Sequence, residues 1–196
     1  DVLQTWLYHS DLVGLLVGRA ARVPAIARNI RCSHMGDEYR HGVNGALVSA
    51  LARFSKYPDA VVANSHAGQE EHAALGYDPM RWEVLTNGFD LAVYKPDADA
   101  RASLRQELGL PDDTVLLGLV ARYDPMKDHA SFLHAAAELL STDTKSHFVL
   151  AGGGVDQDNG PLNALIDELG VRKWIHLLGR RDDVPRLTAG LDIATC

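Results

Sequence analysis

The feature that most constrains this chain is the alternation of short apolar runs with longer stretches whose apolar residues recur every three or four positions. The short runs are VLQTWLY, PAIARNI, DAVVANS and WEVLT in the first half, then TVLLGLV, HFVLA, IHLLG and DIATC. Between them lie runs with helical spacing. In DLVGLLVGRAARV, Leu12, Leu15, Leu16 and Ala20 are expected on one face behind Asp11 as the N-terminal residue. In residues 43–54, Val43, Leu47, Leu51 and Phe54 are expected to share a face. GQEEHAAL, HASFLHAAAELL, PLNALIDELG and VPRLTAGL continue the pattern. Strands separated by helices must be joined by crossovers, which builds parallel sheets covered by helices, so the expected class is α/β.

Between Asn87 and Asp113 the alternation weakens into turn signals, Pro96, Pro111 and one short polar helix, and a domain boundary is expected there, giving units 1–90 and 91–196. The chain opens at DVLQTWLYH without Met, already inside an apolar run, and closes at LDIATC, which reads as a strand broken off. It is expected to be an internal piece of a longer protein.

A formal net charge of -7 argues against a broad basic surface, so nucleic acid is not an expected partner and any anion must be held locally. Cys32 and Cys196 lie far apart and outside any CxxC or disulfide framework, which makes a reducing, cytoplasmic setting the expectation. No apolar run reaches the roughly 20 residues that span a bilayer.

Local positive charge stands at ARYDPMKDH, directly after TVLLGLV. In open parallel sheets, ligands bind outside the carboxyl ends of the strands. Arg122 leaves such an end. A guanidinium can grip two phosphate oxygens as a fork, and Lys127 adds a point charge one turn later, a combination suited to a diphosphate. The spacing fits a solvated loop with two ordinary cations equally well. In HFVLAGGGVD, Gly152, Gly153 and Gly154 follow the next strand and let backbone approach a ligand closely. These glycines do not form GxGxxG, and the stretch from Val155 to Asn159 is too long and polar for the tight turn of a nicotinamide site.

The strings ARYDPMKDHASFLHAAAELL, FVLAGGG and LLGRRDDVPRLTAGLDI, preceded by VVANSHAG and VLTNGFD, resemble the core of the retaining nucleotide-sugar glycosyltransferases of family 4. The resemblance covers nearly the whole chain. It implies a GT-B fold, with two Rossmann-like domains facing a cleft and both incomplete here. Residues 1–90 would be the later part of the N-terminal, acceptor-side domain, and residues 91–196 the earlier part of the nucleotide-sugar donor domain. By match, Arg122 and Lys127 hold the donor diphosphate and His9, in YHSD, faces the donor sugar, which makes these three the catalytic candidates. Gly152 and Gly153 join the donor site, Arg180 and Val184 flank the nucleobase largely through backbone contacts, and Asn87, Gly88 and Asp90 shape a turn.

The implied partners are a nucleotide sugar and a carbohydrate or lipid-linked acceptor. The implied setting is the cytoplasm, with peripheral contact at the inner membrane face. No metal and no cofactor are implied. The family's pair of glutamates seven residues apart is expected after Cys196, and the first strands of its N-terminal domain before residue 1. The isolated chain is therefore expected to be inactive and prone to associate through uncovered apolar surfaces.

Other constellations carry less. Cys32, His34 and His41 lack paired metal-ligand spacing. His129 and His134, five apart, do not share a helical face. No GxSxG elbow is present. Asp37 with Glu38, and Asp182 with Asp183, read as solvated loop charges. Two further readings stand beside the transferase: a GT-B sugar-nucleotide epimerase, and a non-catalytic nucleotide-binding fragment.

Overall fold

The computed structural model describes residues 1–32, 36, 41–142 and 145–196. The chain divides into two units, Asp1–Gly88 and Phe89–Cys196. His34, Asp37 and Glu38, named above, lie outside the described residues.

In the first unit the apolar runs become strands β1 (Val2–Trp6), β2 (Ala25–Ile30), β3 (Ala60–Ala63) and β4 (Trp82–Val84), all parallel, in the order β1-β2-β3-β4. They alternate with helices α1 (Tyr8–Ala20), α2 (Gly42–Arg53) and α3 (His66–Ala74). Ser65 starts α3 by accepting a hydrogen bond from the Gly68 amide at 3.0 Å, two residues earlier than the expected GQEEHAAL run. Ile30, Val48, Leu51, Val61 and Ala63 form the core between α2 and the sheet.

The buried faces of α1 and α2 differ from those expected. On α1 the buried residues are Asp11, Leu15 and Gly18, while Leu16 is 64% exposed. On α2 they are Gly45, Val48, Leu51 and Ala52, while Val43 is 84% exposed. On α1 the cause is close approach at small residues. A Cβ at Gly14 would lie 2.2 Å from Thr5 Cγ2, so α1 meets β1 along its glycines and turns Leu16 outward. Asp11 is likewise not the helix N-terminal residue. The helix begins three residues earlier, and Asp11 is 1% exposed beneath it, accepting a 2.6 Å hydrogen bond from Thr5 Oγ1. Burial raises its carboxyl to about 6, against the opposing effects of Thr5 and the Arg28 charge. Arg28, also buried, donates weakly to the Leu51 and Phe54 carbonyls at 3.3 and 3.4 Å and lies over the Tyr77 ring.

The second unit begins with α4 (Ala98–Leu108), capped by Asp97 and ended at Gly109 with φ 66°. There follow β5 (Val115–Val120), a 3-10 turn at Pro125–Lys127, α5 (His129–Leu140), β6 (Ser146–Ala151), α6 (Gly160–Glu168), a 3-10 turn at Arg172–Trp174, β7 (Ile175–Leu177), α7 (Val184–Gly190) and β8 (Ile193–Thr195). The four strands are parallel in the order β7-β6-β5-β8, so the winding direction reverses between β5 and β8. Side chains on β6 alternate between two cores. Phe148 and Leu150 meet Leu133, Leu162 and Ile166 of α5 and α6. Val149 and Ala151 meet Leu104 of α4 and Leu187 of α7.

The short polar helix expected in the weak stretch is α4, and it is part of this core. Its Arg105 is 0% exposed. Nε and Nη2 donate to the Thr114 carbonyl at 3.0 and 2.7 Å, Nη1 to the Arg101 and Gly190 carbonyls at 3.1 Å each, and Nη2 also to Asp192. A guanidinium whose donors are this fully matched can be buried.

Asp11 gives a testable pH dependence. Its folded value lies above the unfolded carboxylate value, so the native state binds the proton more tightly. The group's contribution is fully present below about pH 4 and is lost as pH rises through about 6. The difference amounts to at most about 3 kcal/mol. Asp11→Asn keeps an acceptor for Thr5 without the charge. Its unfolding free energy relative to wild type should therefore rise between pH 4 and pH 7, measured by denaturant titration; a pH-independent difference would contradict the assignment.

Candidate functional site

The winding reverses between β5 and β8, the kind of point at whose strand carboxyl ends ligands bind in open parallel sheets, and β5 runs straight into Arg122 there. The loops that follow β5, β6 and β7 are tied to one another by backbone. Ala121 donates to the Ala151 carbonyl at 2.8 Å and Tyr123 to that of Gly153 at 2.8 Å. Gly152 donates to Gly179 at 2.8 Å, and Gly179 to Val155 at 2.8 Å. Gly152 sits at the tightest point of this weave. A Cβ there would lie 2.1 Å from the Ala121 carbonyl oxygen and 2.7 Å from the Arg122 nitrogen, so no larger residue fits. Gly153 is open, with nothing within 4 Å of a Cβ.

The Arg122 turn is shaped by Asp124. One of its oxygens accepts from the Met126 amide at 2.9 Å and caps the 3-10 turn. The other accepts from Arg122 Nε and Nη2 at 3.1 and 2.9 Å. The Met126 amide and then Arg122 hold the Asp124 carboxyl below its usual value. Lys127 is exposed at the end of that turn, and Asp128 (φ 45°) then starts α5 by accepting from the Ser131 amide at 3.1 Å. The Arg122 guanidinium is thus already oriented, with 71% of its side chain exposed.

His129, which the sequence reading treated only by spacing, is buried under this turn with its ring centroid 5.3 Å from that of Tyr123, while His134 is exposed. Burial lowers the His129 pKa, so its imidazole is held neutral. The segment after Gly154 holds one core residue, Val155, which is 0% exposed, before Asn159 caps α6 by accepting from Leu162 at 3.1 Å.

Arg180 is exposed in the loop between β7 and α7, and Val184 is the half-buried first residue of α7. Asp183 between them is not the solvated loop charge expected. Its carboxylate accepts from Arg181 Nε at 2.7 Å and Nη2 at 2.8 Å and from Arg186 Nε at 2.8 Å. These bonds hold it well below the usual carboxylate range. The sequence reading passed over Arg181, Arg186 and Glu107, because partners 74 and 79 residues apart leave no local pattern.

In the first unit, His9 is exposed in the first turn of α1, just past the carboxyl end of β1. The preceding Leu7 has φ 75°, a conformation that costs a branched side chain about 1–3 kcal/mol. Tyr8 anchors the strained turn, its hydroxyl lying 2.8 Å from His72 Nε2 and 3.0 Å from Cys32 Sγ. His72 Nδ1 lies 2.8 Å from the Gly68 carbonyl. Burial lowers the His72 pKa, and in the neutral form Nδ1 donates to Gly68 while Nε2 accepts from Tyr8. Asn87 Oδ1 accepts from Arg31 Nη2 at 2.8 Å, and at the start of the second unit Asp90 Oδ1 accepts from the Ala92 amide at 2.9 Å. Among the described residues no three His, Cys, Asp or Glu side chains gather as a metal would require, and no helix is long and apolar enough to cross a membrane.

Residues 100–196 match the family described as glycosyl transferases group 1. The chain belongs to this family. Over 194 residues it is 36% identical to the D-inositol 3-phosphate glycosyltransferase of Corynebacterium efficiens, an alignment that covers 92% of this chain and 45% of that protein. Over 197 residues it is 24% identical to the UDP-Gal:alpha-D-GlcNAc-diphosphoundecaprenol alpha-1,3-galactosyltransferase of Escherichia coli, covering 98% and 50%. The fold is that of Anabaena HepE solved with UDP-glucose, with a TM-score of 0.83 at 24% identity, over 99% of this chain and 52% of that one. The chain spans about half the length of the curated relatives it matches. In this group 1 glycosyltransferase chain the α/β, GT-B-type architecture expected from the sequence is therefore present.

The weave predicts sharply different tolerance at adjacent glycines. Gly152→Ala should lower unfolding stability by about 2–4 kcal/mol, because backbone rather than a movable side chain stands in the way. Gly153→Ala should cost less than about 1 kcal/mol. Thermal or denaturant unfolding of the two variants checks the contrast, and equal effects would contradict the packing described.

Proposed function

We propose that the protein is a retaining glycosyltransferase that moves a sugar from a nucleotide-diphosphate sugar to a glycan or lipid-linked acceptor, in the synthesis of cell-surface polysaccharide or glycolipid. The observation that carries this reading is the placement of an oriented Arg122, an exposed Lys127 and an unobstructed Gly153 at the switch point of the second sheet. Two relatives support the chemistry. HepE was solved with UDP-glucose, and the E. coli relative is named for a UDP-galactose donor and an undecaprenol-diphosphate-linked acceptor. In this reading the second unit holds the donor and the first unit serves the acceptor.

When the bond between the sugar's anomeric carbon and the diphosphate breaks, the electron pair leaves on phosphate oxygen and negative charge grows there. Arg122 and Lys127 stabilise that charge more in the transition state than in the bound donor, which turns binding into catalysis. Gly152 and Gly153 admit the diphosphate close to backbone. Arg180 and Val184 border the nucleobase. His9, presented by the strained turn after β1, is assigned to the donor sugar. The reading needs no resident metal.

Two results test it. Arg122→Ala and Lys127→Ala should each weaken UDP binding roughly ten- to hundredfold, the scale of one or two charge-assisted hydrogen bonds, as read by calorimetry. Unchanged affinity in both variants removes the diphosphate assignment. In the full-length protein, transfer should persist in chelator, and the product should keep the donor's anomeric configuration by NMR. Inverted product would reject the mechanism, and release of a free sugar-nucleotide isomer would place the protein among epimerases.

A further inference from the structure

The loop between β7 and α7 is held from two sides by different chemistry. On the Gly179 side it is tied by the backbone bonds to Gly152 and Val155 described above. On the other side it is tied by charge to α4, a helix that the chain reaches some 70 residues earlier. Glu107 on α4 accepts from Arg181 Nη1 at 2.7 Å and Nη2 at 3.5 Å, and from Arg186 Nη2. Arg181 and Arg186 both bond Asp183, and Arg186 Nη1 donates to Ser103 Oγ at 3.0 Å. The result is a closed ring of alternating charge, in which each carboxylate faces two guanidiniums and each guanidinium two carboxylates. The side chains are 23–37% exposed, so water screens the ring only in part. Asp183 occupies the position preceding α7, where an aspartate ordinarily caps the helix, yet its side chain makes no capping bond. It is turned to the arginines instead.

Arg180 is the residue before Arg181, and Val184 the residue after Asp183. Neighbouring Cα atoms stand 3.8 Å apart, so wherever the ring sets Arg181 and Asp183, it sets Arg180 and Val184 as well. We propose that Glu107 is a positioning residue for nucleobase recognition: from α4 it fixes, through Arg181 and Arg186, the loop that meets the base. The inference rests on the donor-site reading above. It separates two halves of that site. The Arg122 turn makes no bond to the ring and reaches its loop only by way of the backbone bonds of the loop after β6, so phosphate affinity depends on Glu107 far less than base recognition does.

The test compares UDP with inorganic pyrophosphate on the intact protein. Glu107→Gln keeps the side chain's shape and removes the charge that holds two arginines. It should weaken UDP binding by about tenfold, on the scale of one charge-assisted hydrogen bond, and leave pyrophosphate within about twofold. The donor KM should rise with kcat within about twofold. Arg181→Gln should reproduce the effect, and the double variant should be no weaker than the stronger single, because both act through one ring. Unchanged UDP affinity in Glu107→Gln overturns the inference, as does a parallel loss of both ligands, which would mark general structural damage. Wild-type protein that binds pyrophosphate but none of UDP, GDP and ADP overturns the inference alone. Wild-type protein that binds neither class overturns the donor-site reading as well.

Discussion

The second unit depends on one close contact: the backbone of Gly152 passing against the carbonyl of Ala121. Two parallel strands normally diverge beyond their last ladder bond, because the loops that follow carry side chains. Here the ladder continues past the strand ends, through Ala121 to Ala151 and Tyr123 to Gly153, since no Cβ intervenes. Gly179 then joins the third loop to the first two. Three loops that would otherwise move separately become one backbone surface, with Arg122, Gly153 and Arg180 on it. Rigid placement is what a charge-stabilising site needs, because donors already oriented cost nothing to reorganise when charge develops.

The two units solve the burial of charge in different ways, and the difference shows where each is adjustable. Arg105 has several carbonyls and a carboxylate around one guanidinium, so its charge is fully matched and it joins α4, β5 and the start of β8 into a single block. Among the described residues Arg28 makes two long bonds to carbonyls and lies over a tyrosine ring, and the nearby Asp11 is driven toward its neutral form by burial. The first unit therefore carries an electrostatic cost that varies with pH directly beneath the turn bearing His9. In the second unit the buried guanidinium of Arg105 is fully matched, and burial lowers the pKa of His129.

Much of this was legible in the sequence because parallel α/β architecture writes itself as a period. Among the described residues seven of the eight strands fall within the apolar runs and β6 begins one residue before HFVLA, and the turn of interest follows a strand end, as the rule for open sheets requires. The misreadings share a cause. Hydropathy patterns weigh large side chains, whereas α1 meets β1 and β2 through Gly14 and Gly18, so the face chosen from its leucines was rotated. Charge leaves no periodic signal of burial or pairing: Asp11 reads as a helix start, Asp183 as a solvated loop charge, and Arg105 stands out in no pattern. Their burial or pairing depends on partners brought together only by the fold, as with Arg105 and Asp192, 87 positions apart.

The anion site proposed at the Arg122 turn requires no basic surface, in a chain of net charge -7. Within the turn, Arg122 and Lys127 are accompanied by Asp124 and Asp128, so the segment carries no net charge. What distinguishes it is geometry. Asp128 faces the α5 amides, and Asp124 divides its two oxygens between the Met126 amide and Arg122. A diphosphate reaching this turn must share the Arg122 fork with a carboxylate already there. Only a ligand with more charge, or with a second grip at Lys127 and the open backbone near Gly153, gains from that exchange. A lone carboxylate or chloride offers neither, so the resident Asp124 that orients the arginine also sets the threshold for what displaces it.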